Sequence, residues 1–415
     1  MAGPGALTLQ RTKRITPAKH GAGVKVLELN RARTELPCAA LQFVLKEHMS
    51  YPNPHGAMLT VDVAALADNW RLLAERAKPA ECAAVVKADG YGLSVETAVH
   101  ALARAGCHSF FVAHLEEALR ARKAAPMAHI YVLNGMPPGS EILYAGQRIR
   151  PVLGTLGEII RWRKAGGGPA ALHVDTGMNR LGLNLDEAKA LAATNDWEGM
   201  GIDLILSHFV AAEEPDNPIN AAQIHRFERV TDWFGSRIKR RSLANSSAHF
   251  MDALPRYDMT RAGYALYGGN PTPGQINPMK PVVRLEAMIL QVRHIEPGDH
   301  VGYNAQWTAK RPSTIATISL GYADGWLRAM SSSDTKAGGV ALVNGMRCPF
   351  VGRVSMDLIT LDVTDCAAGS VKAGHKAVLL GDEIGVDDVA AMAGTNGYEI
   401  LTSLGGRYQR RTIGH

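Results

Sequence analysis

The sequence predicts an α/β chain, with an N-terminal (β/α)8 TIM-type barrel and a C-terminal, mainly antiparallel β domain. Two observations carry this expectation. Between residues 80 and 270, short apolar runs alternate with stretches of helical spacing, and eight such runs occur. After Gly268 the texture changes: Pro, Gly and Asn crowd residues 270–281, and β-rich runs separated by turn signals follow. Length agrees, since 415 residues at ~150 per domain give two or three domains, and one barrel can absorb ~250 residues.

In chain order, the barrel runs are 83–87, 109–113, 129–134, 149–154, 170–175, 203–208, 241–245 and 261–267. Between them, Val95-Ala98-Val99-Leu102 and Leu115-Ala118-Leu119 repeat at helical spacing. Ser94 and Asn184 stand where helix N-caps belong. Eight units of about 25 residues close most simply into a barrel. An open, doubly wound sheet is the alternative, because pattern alone does not count closure. The β domain is read from runs at 282–294, 313–320, 339–343, 358–363 and 376–380. Glu296-Pro297-Gly298-Asp299 and Asn344-Gly345 supply turns, and a short helix is expected at 386–393.

Composition removes several function classes. The chain is 46% hydrophobic and 20% charged, which is ordinary for a folded protein and not for a disordered one. Residues 1–50 hold eight Lys/Arg against three Asp/Glu, so they carry +5 of the net +6. A nucleic-acid binder needs its basic excess on the folded body, and here the body is nearly neutral. The five cysteines form no C-x-x-C pair, which argues against a disulfide framework or zinc knuckle. They read as reduced thiols of a cytoplasmic protein. No run of ~18 apolar residues spans a membrane. The stretch from Leu36 to Leu45 resembles a signal-peptide core, but starts late and lacks a small-residue cleavage site. Residues 1–56 are therefore expected to be a basic, flexible extension. Short motifs for dinucleotide, NTP, zinc-protease and lipase chemistry are absent, and no metal site is expected.

Barrel chemistry sits at the C-terminal ends of the strands. Those ends offer Lys87, Asn134, Arg180, His208, Ser246 and Arg261. Lys87 follows Ala83-Ala84-Val85-Val86 and opens Ala88-Asp89-Gly90-Tyr91-Gly92. An amine at the mouth of an apolar strand is partly desolvated, which lowers its pKa and frees it as a nucleophile. A surface lysine snorkelling from a strand end fits the bare position equally well. Arg180 lies in Asp175-Thr176-Gly177-Met178-Asn179-Arg180-Leu181-Gly182, where pairing with Asp175 is the plain alternative. His208 alone reads more readily as a satisfied core histidine. Gly263, after Arg261, lets a backbone N–H approach an anion. In the β domain, Tyr303 and Tyr322 sit in Gly-flanked turns, and Met356 follows Gly352-Arg353-Val354-Ser355. Each tyrosine alone is more readily a packed ring than a base.

Together these motifs resemble the alanine racemase family, fold-type III enzymes that use pyridoxal 5′-phosphate. The resemblance runs from about Ala57 to the C-terminus. It rests on Ala84-Val85-Val86-Lys87-Ala88-Asp89-Gly90-Tyr91-Gly92, the Asp175–Gly182 segment, Ala244-Asn245-Ser246 and Gly321-Tyr322-Ala323-Asp324-Gly325. It implies a PLP-binding barrel over 64–281, a strand at 57–63 joining a β domain over 282–415, and a head-to-tail homodimer with shared sites. Lys87 would hold the cofactor and serve as one base, and Tyr303 of the partner subunit would be the other. Tyr91, Ser246, Gly263 and Tyr264 would bind the phosphate, the last two through backbone N–H groups. Arg261 would face the pyridine nitrogen with His208 behind it. Arg180 would lie near the phenolic oxygen and the substrate carboxylate. Met356 of the partner subunit would bind that carboxylate, and Tyr322 would narrow the entrance. The sequence departs from the pattern twice. His173 stands where the family commonly has a lysine, often carbamylated, that braces the arginine. Gly406 falls at the place of a phosphate-contacting tyrosine, with Tyr408 nearby.

The implied activity is interconversion of L- and D-alanine, for peptidoglycan supply or alanine catabolism. Two bases flanking a planar carbanion suit that reaction. Arginine at the pyridine nitrogen keeps its own proton and so leaves that nitrogen unprotonated. A broad-specificity racemase, a PLP decarboxylase of the same architecture and a PLP carrier are the alternatives. Decarboxylases would place a carboxylate where Arg261 stands, and carriers resemble the barrel alone.

Overall fold

The computed structural model describes residues 56–194, 196–251 and 255–414. Expectations placed on residues 1–55 lie outside the described residues. The described chain opens on strand β1 (Ala57–Asp62). Eight strands then alternate with helical segments: β2 (Glu81–Val85), β3 (Ser109–Val112), β4 (His129–Val132), β5 (Ile149–Leu153), β6 (Ala170–His173), β7 (Ile202–Leu206), β8 (Arg240–Ser242) and β9 (Met259–Ala262).

These strands lie in the order β8-β7-β6-β5-β4-β3-β2-β9, every hydrogen-bonded pair parallel. The ring closes between β8 and β9, where Asp258 N–H donates to Arg241 O at 3.1 Å and Arg261 N–H to Ala244 O at 2.9 Å. That closure removes the open-sheet alternative. Both faces of most of these strands are covered, so they read as apolar runs; all four residues of β3 are buried. Ser94 Oγ accepts from Thr97 N–H at 3.3 Å at the head of helix Val95–Ala105. Asn184 and Glu187 exchange hydrogen bonds in a capping box at the head of Leu185–Ala192.

Most strands stop one or more residues before the apolar runs do. β2 ends at Val85, so Lys87 opens a turn instead of closing a strand. The 261–267 run divides into the end of β9 and a 3-10 turn, Tyr264–Tyr267. These overhangs are the mouth of the barrel.

The β domain is organised by β10 (Val283–Ile295), which pairs antiparallel with β1. Along its length β10 also takes β13 (Ser313–Ile318) and β17 (Lys376–Leu380) as antiparallel neighbours. A small hairpin, β11 (His300–Val301) with β12 (Trp307–Thr308), carries Tyr303 in its loop. β14 (Val340–Val343) and β15 (Met346–Pro349) form a hairpin about Asn344-Gly345. Both turn residues have positive φ, +51° and +79°, as a type I′ turn requires. β16 (Ile359–Asp362) pairs with β13, and β18 (Gln409–Ile413) runs parallel to β1.

Two helices of the β domain, Val386–Ala393 and Gly397–Ser403, return to the barrel mouth. The Tyr264 hydroxyl donates to Asp387 Oδ1 at 2.6 Å, and Asn270 N–H to Asp387 Oδ2 at 2.8 Å. Arg410 Nη1 donates to Gly92 O at 2.8 Å. Gly92 has φ +81°, and a Cβ there would lie 2.2 Å from Leu401 O, so only glycine fits this joint. Among the described residues no helix is long and apolar enough to cross a membrane.

Candidate active site

All six strand-end residues, Lys87, Asn134, Arg180, His208, Ser246 and Arg261, line one cavity of about 310 Å³. Tyr91, Gly263 and Tyr264 line it too. Among the described residues, no carboxylate does. Its charge is therefore one-sided: an amine and two guanidiniums, with the imidazoles of His173 and His208.

Lys87 leads into a strained turn. Ala88, Asp89, Gly90 and Tyr91 have φ of +53°, +54°, +64° and +54°, a full turn of left-handed backbone with one glycine. Each non-glycine residue there costs about 1–2 kcal/mol. Hydrogen bonds offset that cost: Gly90 N–H to Val86 O at 2.9 Å, Gly92 N–H to Ala88 O at 2.8 Å, and Ser94 N–H to Asp89 O at 2.8 Å. The Lys87 amine makes no hydrogen bond or ion pair among the described residues. Burial holds its pKa below the usual lysine value, Arg180 adds to the effect, and Glu117 opposes it.

Arg261 is buried on β9. Its Nη1 donates to Ser242 Oγ and its Nη2 to Ser207 O, with His208 Nδ1 at 3.4 Å from Nη2. Burial lowers its pKa to about 10, so it stays charged at neutral pH. Burial and the charges of Arg261, Arg180 and Lys87 push His208 to about 3, so its ring is neutral and Nδ1 is free to accept from the guanidinium. His173 falls to about 4 by burial and the field of Arg261.

Arg180 does not pair with Asp175. That carboxylate instead accepts the backbone N–H groups of Gly177, Met178 and Asn179, each at 2.8 Å. It shapes the loop and leaves Arg180 free at the cavity edge.

Ser246 follows the seventh barrel strand and Gly263 the eighth, the usual phosphate position of barrel enzymes. Ser246 Oγ accepts from Gly263 N–H at 2.8 Å and Ala265 N–H at 3.3 Å. Two main-chain donors, Gly263 and Ala265, thus converge on the Ser246 hydroxyl. A Cβ at Gly263 would sit 2.6 Å from the Tyr91 hydroxyl. The floor is aromatic: Tyr91 stacks on Tyr267 with centroids 4.5 Å apart, and Tyr264 on Tyr398 at 4.1 Å.

Tyr398 was not expected. It reaches the cavity from helix Gly397–Ser403 of the β domain. A faint signal exists: a Cβ at Gly397 would lie on the Tyr264 hydroxyl, so a glycine beside Tyr398 marks the contact. Tyr408 does not line the cavity, and its buried hydroxyl has no hydrogen-bond partner among the described residues.

The three β-domain candidates lie elsewhere. Tyr303, Met356 and Tyr322 are 68%, 54% and 42% exposed, and none lines the Lys87 cavity of its own chain. Their loops form one connected face. Tyr322 N–H donates to Ser355 O and Ala323 N–H to Met356 O, both at 3.0 Å. Arg353 Nε donates to Gln306 Oε1 at 2.9 Å, tying the Met356 loop to the Tyr303 loop. No cluster of three or more potential metal ligands occurs among the described residues.

A closed barrel with a desolvated amine at its cationic mouth, roofed by helices of a β domain, falls in the fold-type III class of pyridoxal-phosphate enzymes. Residues 61–271 match the family model of the alanine racemase N-terminal domain, and residues 282–412 that of the C-terminal domain. The chain belongs to the alanine racemase family, which are pyridoxal phosphate-dependent isomerases. An alanine racemase of Methylobacterium sp. (strain 4-46) is 54% identical over 370 residues, 88% of this chain and 100% of that protein. Two Agrobacterium fabrum proteins, named biosynthetic and catabolic alanine racemase, are each 42% identical over 86% of this chain, covering 93% and 92% of their own lengths. The crystal structure of the Bartonella henselae alanine racemase with covalently bound pyridoxal phosphate has TM-score 0.82 at 39% identity, covering 87% of this chain and 100% of that one.

Proposed function

We propose that the chain interconverts L- and D-alanine, with Lys87 and Tyr303 of the partner subunit as bases on opposite faces of the reacting carbon. One observation carries the reading. The Lys87 cavity collects the strand-end cations, while Tyr303, outside that cavity, stands exposed on another surface of the same chain.

The residues present fit pyridoxal 5′-phosphate. Ser246, the Tyr91 hydroxyl and the backbone N–H groups of Gly263 and Tyr264 would hold the phosphate, where a bare glycine lets these groups crowd together. When bound, the cofactor supplies an electron sink for the charge left on the α-carbon. Arg261 would lie at the ring nitrogen and keep its own proton, which would moderate that sink. Its own bonds to Ser242, Ser207 and His208 fix the guanidinium in place. Arg180, unpaired in its own loop, orients the substrate carboxylate together with the Met356 backbone of the partner subunit.

Lys87 would hold the cofactor through its amine, which also stands where a base is needed. Burial and Arg180 favour its neutral form, the form that accepts a proton. Tyr322 narrows the entrance and selects a small side chain. Arg261, standing where a decarboxylase would place a carboxylate, weighs against a decarboxylase, and the β domain bearing Tyr303 against a carrier. A homodimer with shared sites follows from this reading. The unpaired cysteine pattern supports a cytoplasmic location. D-alanine supply and alanine catabolism both remain within the activity, since named relatives of equal identity serve each.

Tyr303→Phe tests the pair of bases. It should retain the cofactor but lose exchange of the L-alanine α-proton with solvent, by two or more orders of magnitude. Undiminished exchange refutes the assignment. Comparing kcat/KM for alanine, serine, lysine and arginine separates this reading from a broad-specificity racemase.

A further inference from the structure

We propose that Glu117 is a positioning residue for Lys87, acting through the main chain of Asp89. The inference rests on the reading of Lys87 as cofactor lysine and base.

Glu117 lies in helix Leu115–Ala124, outside the cavity. Its Oε1 accepts Asp89 N–H at 2.9 Å. Its Oε2 accepts Ala113 N–H at 2.9 Å and His114 N–H at 3.2 Å. One carboxylate therefore ties the left-handed turn after Lys87 to the end of β3. Both of its oxygens are occupied by main-chain donors.

One turn along the same helix, Arg120 Nη2 donates to Asp89 Oδ1 at 2.7 Å, and Val95 N–H donates to the same oxygen at 3.0 Å. Asp89 is thus held at its N–H by Glu117 and at its side chain by Arg120, from residues on one helix face. Arg120 is also anchored by Glu96. Among the described residues, Glu117 is the side chain that holds the Asp89 N–H, beside the turn's own bonds to the Val86, Ala88 and Asp89 carbonyls. A left-handed turn with three side chains is costly, and a turn that relaxes re-aims the lysine beside it. A displacement of about 1 Å at a reacting group can cost on the order of 100-fold in rate.

The test is Glu117→Gln. The amide keeps the volume but offers one acceptor, so it can serve Asp89 or the Ala113–His114 pair and not both. Expected is a fall in kcat per bound cofactor of about 10- to 100-fold, with KM changed less than about threefold. Borohydride trapping should still label Lys87. The acid limb of the kcat profile should also move to lower pH, because a negative charge near the amine is gone while Arg180, Arg261 and neutral His208 remain. Arg120→Gln, which loosens only the Asp89 side chain, should cost less. If Glu117→Gln does not fold, Glu117→Asp carries the same comparison, since its shorter arm cannot span both partners. Wild-type kcat and an unmoved limb in a folded variant overturn the proposal. So does a loss of thermal stability and cofactor with kcat per bound cofactor unchanged, which assigns Glu117 to the fold alone. Lys87→Ala run in parallel separates the levels: if it still racemises alanine, the reading of the site fails. If it is inactive and Glu117→Gln is wild type, only the positioning role fails.

Discussion

Gly263→Ala puts the phosphate cradle under direct test. Its φ of −131° lies outside the left-handed region, so the obstacle to a side chain is space. The new Cβ would stand 2.6 Å from the Tyr91 hydroxyl and 3.5 Å from its ring carbon and from Val85 Cβ. A carbon–oxygen contact wants several tenths of an ångström more. Tyr91 cannot retreat into the protein, because its ring is buried and stacked on Tyr267. Its open direction is the cavity. In the cofactor-free protein the phenol swings there at little cost, so thermal stability should barely change. Binding must then push it back against the methyl group. Overpacking of this kind costs about 1–3 kcal/mol, which weakens cofactor affinity by about 5- to 150-fold. Equilibrium titration of the apoprotein, followed by cofactor absorbance, measures it. Unchanged affinity, or a large stability loss with unchanged affinity, refutes the reasoning.

Further outcomes follow from other parts of the fold. Asp387→Ala removes the acceptor of both the Tyr264 hydroxyl and Asn270 N–H, and should lower unfolding free energy by about 1–3 kcal/mol; an unmoved denaturation midpoint contradicts this. His173, His208 and His249 sit at about 4, 3 and 4 in the fold, against ~6.5 when unfolded. Unfolding therefore takes up protons below pH ~6.5, and stability falls with pH from there by up to about 1.4 kcal/mol per unit for each ring. Urea unfolding at pH 7, 6 and 5 reads the slope before most carboxylates titrate, and a flat profile excludes it. Cys82 and Cys107 are buried with thiols pushed up, Cys82 to about 12, whereas Cys366 is partly exposed. A thiol reagent followed by mass spectrometry should therefore label Cys366 before either, and the reverse order would contradict their burial.

The barrel and its strand-end chemistry were legible because most barrel strands are buried apolar runs and polar residues such as Lys87, Asn134 and His208 follow two residues past their ends. Lys87, Asn134, Arg180, His208, Ser246 and Arg261 could be read one by one, and the closed ring gathers them around one space. Strand ends were less legible, since apolar residues such as Val86 continue past the last ladder bond into the loops. β15 and β18 were missed because their residues are largely exposed and, in β18, charged; pairing with β14 and β1 makes them strands. Tyr398 was hidden by distance in the chain, because only the folding back of the β domain brings it beside Tyr264. Glu117 was hidden by ordinariness: a glutamate in the first turn of a helix is a common cap, and nothing local reveals that it also grips Asp89.

The separation of Lys87 from Tyr303 within each chain has a consequence for mixtures. If each working pocket draws one of these residues from either copy, two crippled chains can mend each other. Combining Lys87→Ala chains with Tyr303→Phe chains, each silent alone, should give mixed pairs in which one pocket inherits both defects and the other neither. Random re-pairing of equal amounts would restore about a quarter of the parental turnover, a recovery that pockets confined to single chains could not produce.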